Sequence, residues 1–148
     1  MRATIHILVL SIVVGCASSR VEPGPVTLEF RLAEMFPGNG LTEMTVEESG
    51  RKVYVRDEIV LSNEDVASAS VRQRQGRPAI EIVFNETGKE KLAEATALNL
   101  NMPLAILVNG RVLSAAIVRE TYVGGSLTIT GNFTQEEATR IAEGIVRR

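Results

Sequence analysis

Three pairs of adjacent acids are the side chains best suited to acid–base chemistry in this sequence: Asp57-Glu58, Glu64-Asp65 and Glu136-Glu137. Glycoside hydrolysis requires two carboxyl groups that face one cleft. Neighbouring strand residues point to opposite faces, so Asp57-Glu58 is a poor candidate. The other two pairs lie in predicted first helical turns, where acids interact favourably with the helix dipole. We therefore predict helix capping for these two pairs, and we expect no enzymatic activity.

Residues for nucleophilic or metal-assisted chemistry are scarce. The chain contains one histidine, His6, and one cysteine, Cys16. A Ser-His-acid hydrolase needs an imidazole to accept the serine proton, and Cys/His metal sites need several such ligands. His6 lies in a segment that we predict is removed, and Cys16 in a position that we predict is acylated. We expect no cofactor and no metal.

The N-terminus predicts where the protein is located. Arg2 precedes a nearly continuous apolar run from Ile5 to Val14, and Gly15 stands directly before Cys16. This order is typical of a secretory signal. At about ten residues, the run is too short for the roughly 20 needed to cross a bilayer. Its end resembles a bacterial lipobox, which implies cleavage after residue 15 and acylation of Cys16, with palmitate among the attached chains.

The predicted organisation is a signal peptide at 1–15, a lipidated cysteine and tether at 16–25, and one domain at 26–148. The nine tether residues after Cys16, ASSRVEPGP, span about 30 Å when fully extended. We expect a cell-envelope protein that is lipid-anchored and faces the periplasm, without a membrane-spanning helix in the domain. Ala17 follows the cysteine where an acid would indicate inner-membrane retention, which favours the outer membrane.

The charge and composition of the chain restrict the classes of partner that we expect. The chain of 148 residues has a formal net charge of −2 and no basic stripe, so we expect no nucleic-acid binding. Hydrophobic residues make up 45% and aromatic residues 4%, without tryptophan, which predicts an aliphatic core. Tyr54 and Tyr122 are the candidate exposed aromatic residues for a binding surface, although each is more often a strand filler.

Periodicity and turn residues predict the elements. Strands are predicted at 26–35, 52–56, 70–75, 79–84, 104–108, 111–119 and 127–130, with a loop or ragged hairpin at 41–50. Asn109-Gly110 predicts a tight hairpin turn, and Gly124-Gly125 a glycine turn. Helices are predicted from a Ser62 cap to near Ala69, at 86–100, and after the capping box that begins at Thr134.

Hairpins dominate this order, and the two longer helices are amphipathic. The prediction is therefore an α+β fold, a mostly antiparallel sheet with two longer helices packed on one face.

The C-terminal half, LAILVNGRVLSAAIVRETYVGGSLTITGNFTQEEATRIAEGIV, resembles the head part of the first periplasmic domain of SecD, a subunit of the bacterial Sec protein-export machinery. The resemblance extends from about Ser62 to the end. Asn109 stands where the family usually has Asp, and Ala116 where it has Pro; both replacements preserve a turn or a strand. The matching positions are Ala105, Ile106, Gly110, Val112, Ser114, Ala115, Ile117, Ile129, Gly131, Phe133, Thr134, Glu137 and Ala138.

The resemblance implies contact with exported or unfolded polypeptide, and we expect a non-enzymatic, membrane-anchored binding module. A sheet edge or a shallow apolar groove would take an extended peptide. The alternative is a structural or accessory envelope lipoprotein that uses the same fold to bind one partner protein.

Overall fold

The computed structural model describes residues 24–147, so the predicted signal, Cys16 and most of the tether lie outside the described residues. Nine strands and two helices follow one another in this part of the chain. They are β1 (Leu28–Glu34), β2 (Leu41–Thr45), β3 (Lys52–Arg56), β4 (Leu61–Ser62), β5 (Val66–Arg74), β6 (Arg77–Phe84), α1 (Glu86–Leu98), β7 (Pro103–Val108), β8 (Arg111–Ile117), β9 (Ser126–Ile129) and α2 (Gln135–Val146).

The strands form two sheets, whereas the sequence pattern predicted one. The larger sheet has the order β2-β3-β1-β7-β8, with β4 beside β1, and the smaller has the order β5-β6-β9. Every pairing among the described residues is antiparallel. This result confirms the α+β class and the mostly antiparallel pairing.

One hydrophobic core joins the two sheets. All six residues of β7 are buried, as expected for a central strand covered on both faces. Phe30 of β1 and Phe84 of β6 meet edge to face, with ring centroids 5.7 Å apart and an interplanar angle of 70°. Each sheet therefore contributes an aromatic ring to the same aliphatic cluster, which also contains Leu28, Ile80 and Leu92.

The helices lie against different elements. Helix α2 packs over β5 and β6, while α1 contacts β4, β6 and the helical turn that precedes β5. The predicted caps are present: the side chain of Asn85 accepts a hydrogen bond from the Gly88 N–H, and Thr134 forms a capping box with Glu137. The predicted placement of both helices on one face is not confirmed.

The helix predicted from Ser62 to near Ala69 is wrong. The predicted capping box exists, between Ser62 and Asp65, but it caps only a single 3-10 turn at Asn63–Asp65. From Val66 the chain is strand, because β5 pairs with β6 along nearly its whole length. Cross-strand packing here outweighs the local helical signal, as it often does for such short segments.

The two turns predicted at Asn109-Gly110 and Gly124-Gly125 have different backbone conformations. Asn109 (φ 50°) and Gly110 (φ 76°) both have left-handed backbone, as a tight type I′ hairpin turn requires. Neither Gly124 nor Gly125 does, and the chain bends at Gly125 without a hydrogen-bonded turn. A Cβ at Gly124 would lie 2.7 Å from the Tyr122 hydroxyl oxygen, which shows that this glycine permits a close approach.

The sequence left two alternatives for residues 41–50, a loop or a ragged hairpin, and the structure shows a hairpin. Strand β2 pairs with β3 in a hairpin from Leu41↔Arg56 to Thr45↔Lys52.

Within residues 24–147, no helix has the length and apolar character required to cross a membrane.

Gly88 is a packing requirement, and replacing it with alanine tests the contact between α1 and the turn before β5. A Cβ at Gly88 would lie 2.4 Å from the backbone oxygen of Asp65. We predict that Gly88→Ala lowers the free energy of unfolding by roughly 1–3 kcal/mol, measured by chemical denaturation. Thr87→Ala, at an exposed neighbouring position, is the control and should change it by less than about 0.5 kcal/mol. Equal effects would contradict the contact.

The capping box of α2 gives a pH-dependent prediction. The hydrogen bond from the Thr134 backbone N–H to the Glu137 carboxylate lowers the pKa of Glu137 below its ordinary value of 4.5. A lowered pKa in the folded protein stabilises it above the unfolded pKa, and the stabilisation is lost as the pH falls through the folded pKa.

We therefore expect Glu137→Gln to reduce stability at pH 7, and the difference from the wild type to shrink below about pH 4. Thermal unfolding across this pH range measures it. Glu136→Gln, which changes an acid of the same turn outside the capping box, should show a smaller pH-dependent difference. A Glu137→Gln deficit that persists unchanged at pH 3 would exclude the capping carboxylate as its cause.

Candidate functional site

Asp65 and Glu137, two of the acids considered for catalysis, have structural partners. Asp65 is 2% exposed; its carboxylate accepts hydrogen bonds from the Ser62 N–H and from the Lys91 ammonium at 2.8 Å. Glu137 completes the capping box of α2. No group of three or more His, Cys, Asp or Glu side chains that could hold a metal occurs within residues 24–147.

The two candidate aromatic residues lie in different parts of the fold. Tyr54 is half-buried on β3, opposite Glu34 and Glu43 in its two neighbouring strands. Tyr122 precedes β9; its N–H donates to the Thr96 hydroxyl, and its own hydroxyl donates to the Ser126 carbonyl. No ring contact joins the two tyrosines in the described part of the chain. A binding role for either remains a prediction, and Cys16 lies outside the described residues.

A cleft of about 590 Å³ lies between α2, the β7–β8 turn and the β2–β3 turn. Its apolar lining includes Leu113, Phe133 and Ile141. An ion pair between Arg111 and Glu47 stands at its rim. This cleft is the groove-like alternative for binding a peptide.

The β8 edge is partly closed, although β8 is the last strand of the larger sheet. The Glu47 N–H donates to the Val112 carbonyl at 2.9 Å, and the Arg51 guanidinium donates to the Ala115 carbonyl at 3.0 Å. Two of the acceptors that an added strand would need are therefore already occupied.

The β2 edge is open but short. It has five residues and carries an ion pair between Glu43 and Lys52, with the atoms 2.6 Å apart. The hydrogen bond from Lys52 lowers the pKa of Glu43, and the same bond raises the pKa of Lys52. Both shifts favour the charged forms, and charged side chains beside an edge disfavour the addition of another strand.

The edge formed by β5 is the longest one available. Its nine residues, VASASVRQR, pair with β6 on one side. Apart from the Val66 N–H, which closes the preceding turn on Asn63, the described backbone hydrogen bonds of β5 are those to β6. Within residues 24–147, the other side of the strand therefore presents a row of N–H and C=O groups without backbone partners.

The side chains of β5 leave its edge accessible. Ser68, Ser70 and Arg72 are exposed on the outer face, while Ala69 and Val71 are half-buried against the core beneath α2. The first half of the strand thus carries only small side chains. A backbone could approach it at the 4.7–4.9 Å spacing of neighbouring strands. The segment also lacks proline and lysine, which commonly protect edges.

Sequence reasoning missed this edge. Residues 62–69 were predicted as helix, so the strand was predicted to begin only at residue 70. The available signal was the alternation of Ala and Ser from Ala67 to Ser70, which fits period two better than a helical stripe.

Comparisons with known proteins agree with this fold. The family model of the SecDF P1 head subdomain matches residues 39–145. Among relatives, the chain is 38% identical over 84 residues to the protein translocase subunit SecD of Acidaminococcus fermentans, covering 56% of this chain and 20% of that one. It is 37% identical over 84 residues to the subunit SecDF of Thermus thermophilus, covering 56% and 11%. The chain therefore spans about a fifth or less of these relatives' lengths.

Solved structures give the same result. A structure of SecDF, described as a membrane component that enhances protein export, matches with a TM-score of 0.67 at 24% identity, over 84% of this chain and 63% of that chain. A crystal structure of SecDF in a super-membrane-facing form matches with a TM-score of 0.68 at 26% identity, over 84% and 19%. By the span of residues 39–145 that matches, this chain belongs to the SecDF P1 head subdomain family.

Proposed function

We propose that this protein is a membrane-anchored, extracytoplasmic module that binds extended or unfolded polypeptide by adding it as a strand beside β5. The observation that carries the proposal is the outer edge of the nine-residue strand β5, which apart from the Val66 N–H has no backbone partner among the described residues. About every second residue of an edge strand directs both its N–H and its C=O outward. Binding through backbone groups is tolerant of sequence, because every polypeptide carries them.

This mechanism predicts weak binding. Ordering an extended chain costs conformational entropy, and each main-chain hydrogen bond contributes only about 1 kcal/mol net. Weak, sequence-tolerant contact suits a module that meets many exported chains in turn.

The relatives support a role in protein export. The matched proteins are translocase subunits, and one is described as enhancing protein export. Because this chain corresponds to a small part of them, its own contact with exported chains is part of the proposal.

Lipid attachment at Cys16 belongs to the same proposal. The apolar run and Gly15-Cys16 support it. Residue 24 is the first described residue, and Val26 is already tied to the body of the domain through a hydrogen bond from its N–H to the Gly144 carbonyl. A tether of this length would hold the β5 edge close to the bilayer, facing the periplasm.

A second candidate, the accessory lipoprotein that binds one partner, has its own observation. Large exposed apolar side chains lie at the end of β1 and around the end of α1: Met35, Phe36, Leu98 and Leu100. The antiparallel register from Leu28↔Val108 to Leu32↔Leu104 brings the end of β1 and the start of β7, which follows α1, to the same end of the larger sheet. Exposed apolar patches of this kind often contact other proteins.

Site-specific photo-crosslinking in cells separates the two candidates. A photoreactive residue in place of Ser70, on the β5 edge, should crosslink to many newly exported chains, because the edge recognises backbone. The same residue in place of Thr42, on the β2 edge, is the matched control and should yield little. The products are resolved by electrophoresis and mass spectrometry.

A photoreactive residue in place of Leu98 tests the accessory role. One dominant, stoichiometric partner at Leu98, together with no crosslinks at Ser70, would overturn polypeptide binding at β5 and favour the second candidate.

The anchor is tested separately by Cys16→Ala. We expect loss of acylation and accumulation of an uncleaved or mislocalised protein, since the acylated thiol is absent. Metabolic labelling with palmitate and membrane fractionation measure both effects, and Ser18→Ala serves as the control. A Cys16→Ala protein that is still processed and membrane-held like the wild type would contradict lipidation.

A further inference from the structure

Two arginines face each other at the tip of the β5–β6 hairpin. Arg74 and Arg77 are direct partners in the register, and both are exposed. They lie on the outer face of the smaller sheet, the face that also carries Arg72 paired with Glu81, Nε to Oε2 at 2.8 Å. Three positive side chains are therefore gathered at one end of the β5 edge.

The Arg74–Arg77 pair is not compensated within the described residues. No ion pair or hydrogen bond of either side chain occurs there. Glu48 lines the same groove but forms no ion pair with them. Like charges placed directly opposite each other on neighbouring strands are destabilising. A local cost without a visible gain is typical of positions kept for function.

A strand added beside β5 would place alternate side chains next to this charge. Residues two apart on the added strand would stand opposite Arg72 and Arg74 on the outer face, with Cβ atoms about 4.5–5.5 Å from their partners. The residue between them would face the inner side, beside Gln73, whose amide Nε2 donates to Gln135 Oε1 of α2 at 2.9 Å. That position is polar and neutral.

Acidic residues occur toward the opposite end of the same edge. Glu64 is exposed just before β5. Glu143 lies two turns along α2 from Gln135 and is exposed as well. At the arginine end of β5, the α2 side chain that contacts the strand is that of Gln135, which is neutral. The acidic Glu136 is the next residue of α2. The arginines of β5, Arg72 and Arg74, therefore lie at the C-terminal end of the edge, away from Glu64.

We propose, building on the proposed function, that the β5 edge prefers extended segments with two acids separated by one residue, acid-x-acid, seated opposite Arg72 and Arg74. The occupant is a flexible polypeptide segment in extended conformation. The backbone hydrogen bonds would bind any extended segment. The charge pairs with the arginines would make acidic segments bind more tightly and would fix where such a segment lies along the edge.

The test uses the full chain in detergent and labelled peptides of about nine residues, matched in length to β5. One peptide carries Glu-x-Glu in a Thr/Val background, and two others carry Gln-x-Gln and Lys-x-Lys. By fluorescence anisotropy at about 50 mM salt, we expect the acidic peptide to bind about five- to tenfold more tightly than the neutral one. The basic peptide should bind most weakly, and added salt should reduce these differences.

Variants with reversed charge test whether the arginines cause the preference for acidic peptides. The double variant Arg74→Glu/Arg77→Glu should reverse the order, so that the Lys-x-Lys peptide binds best, while circular dichroism stays unchanged. Arg119→Glu, the same change at an exposed site after β8, should leave the wild-type order intact. The milder Arg74→Gln should reduce the acidic preference if the double variant fails to fold.

The outcomes distinguish two failures. Equal binding of all three peptides, or an Arg119→Glu effect as large as that of the double variant, would overturn the acidic preference while leaving strand addition standing. Absence of binding by every peptide at high micromolar concentration would overturn the proposed function itself.

Discussion

The structure depends on one aliphatic core that two sheets share. The smaller sheet, which has three strands, buries one face against α2 and the larger sheet. The buried residues on this face include Ile80, Ile82 and Ile129. Full burial of one such side chain contributes about 1.5–3 kcal/mol. This burial fixes the position of β6 as the centre of the small sheet. Strand β5 is consequently an outer strand, and its edge faces away from the rest of the core.

Asn63 ties the parts of this arrangement together. Its side-chain oxygen accepts a hydrogen bond from the Leu28 N–H, and its amide nitrogen donates to the carbonyls of Val26 and Ile145. One half-buried side chain thus joins the start of β1, the end of α2 and the turn that leads into β5. Gly144 allows this closeness, since a Cβ there would lie 2.3 Å from a methyl group of Val26.

Local signals predicted local features well. The Asn109-Gly110 turn, the Asn85 cap and the Thr134–Glu137 capping box are confirmed, because each depends on hydrogen bonds within a few residues. The division into two sheets was not predicted, since it depends on contacts between distant segments such as β6 and β9.

The candidate site was missed for the same reason. Ser62 and Asp65 form their capping box as predicted, yet the chain after them follows the pairing with β6. The sequence alone indicated an edge strand as one way to bind polypeptide. It could not indicate which strand remained at an edge, because β8 is partly closed only by contacts from the distant β2–β3 turn.

An open edge is usually a liability that proteins avoid, and under the proposed function it is the feature through which this domain binds other chains. Backbone amide hydrogen exchange of residues 66–74 in the full chain, with and without an unfolded polypeptide, tests this account most directly. The account predicts fast exchange of the outward amides of β5 in the free protein and slower exchange on addition, with α1 unchanged. Outward amides that are already protected in the free protein, or that stay fast while the polypeptide is bound, would contradict it.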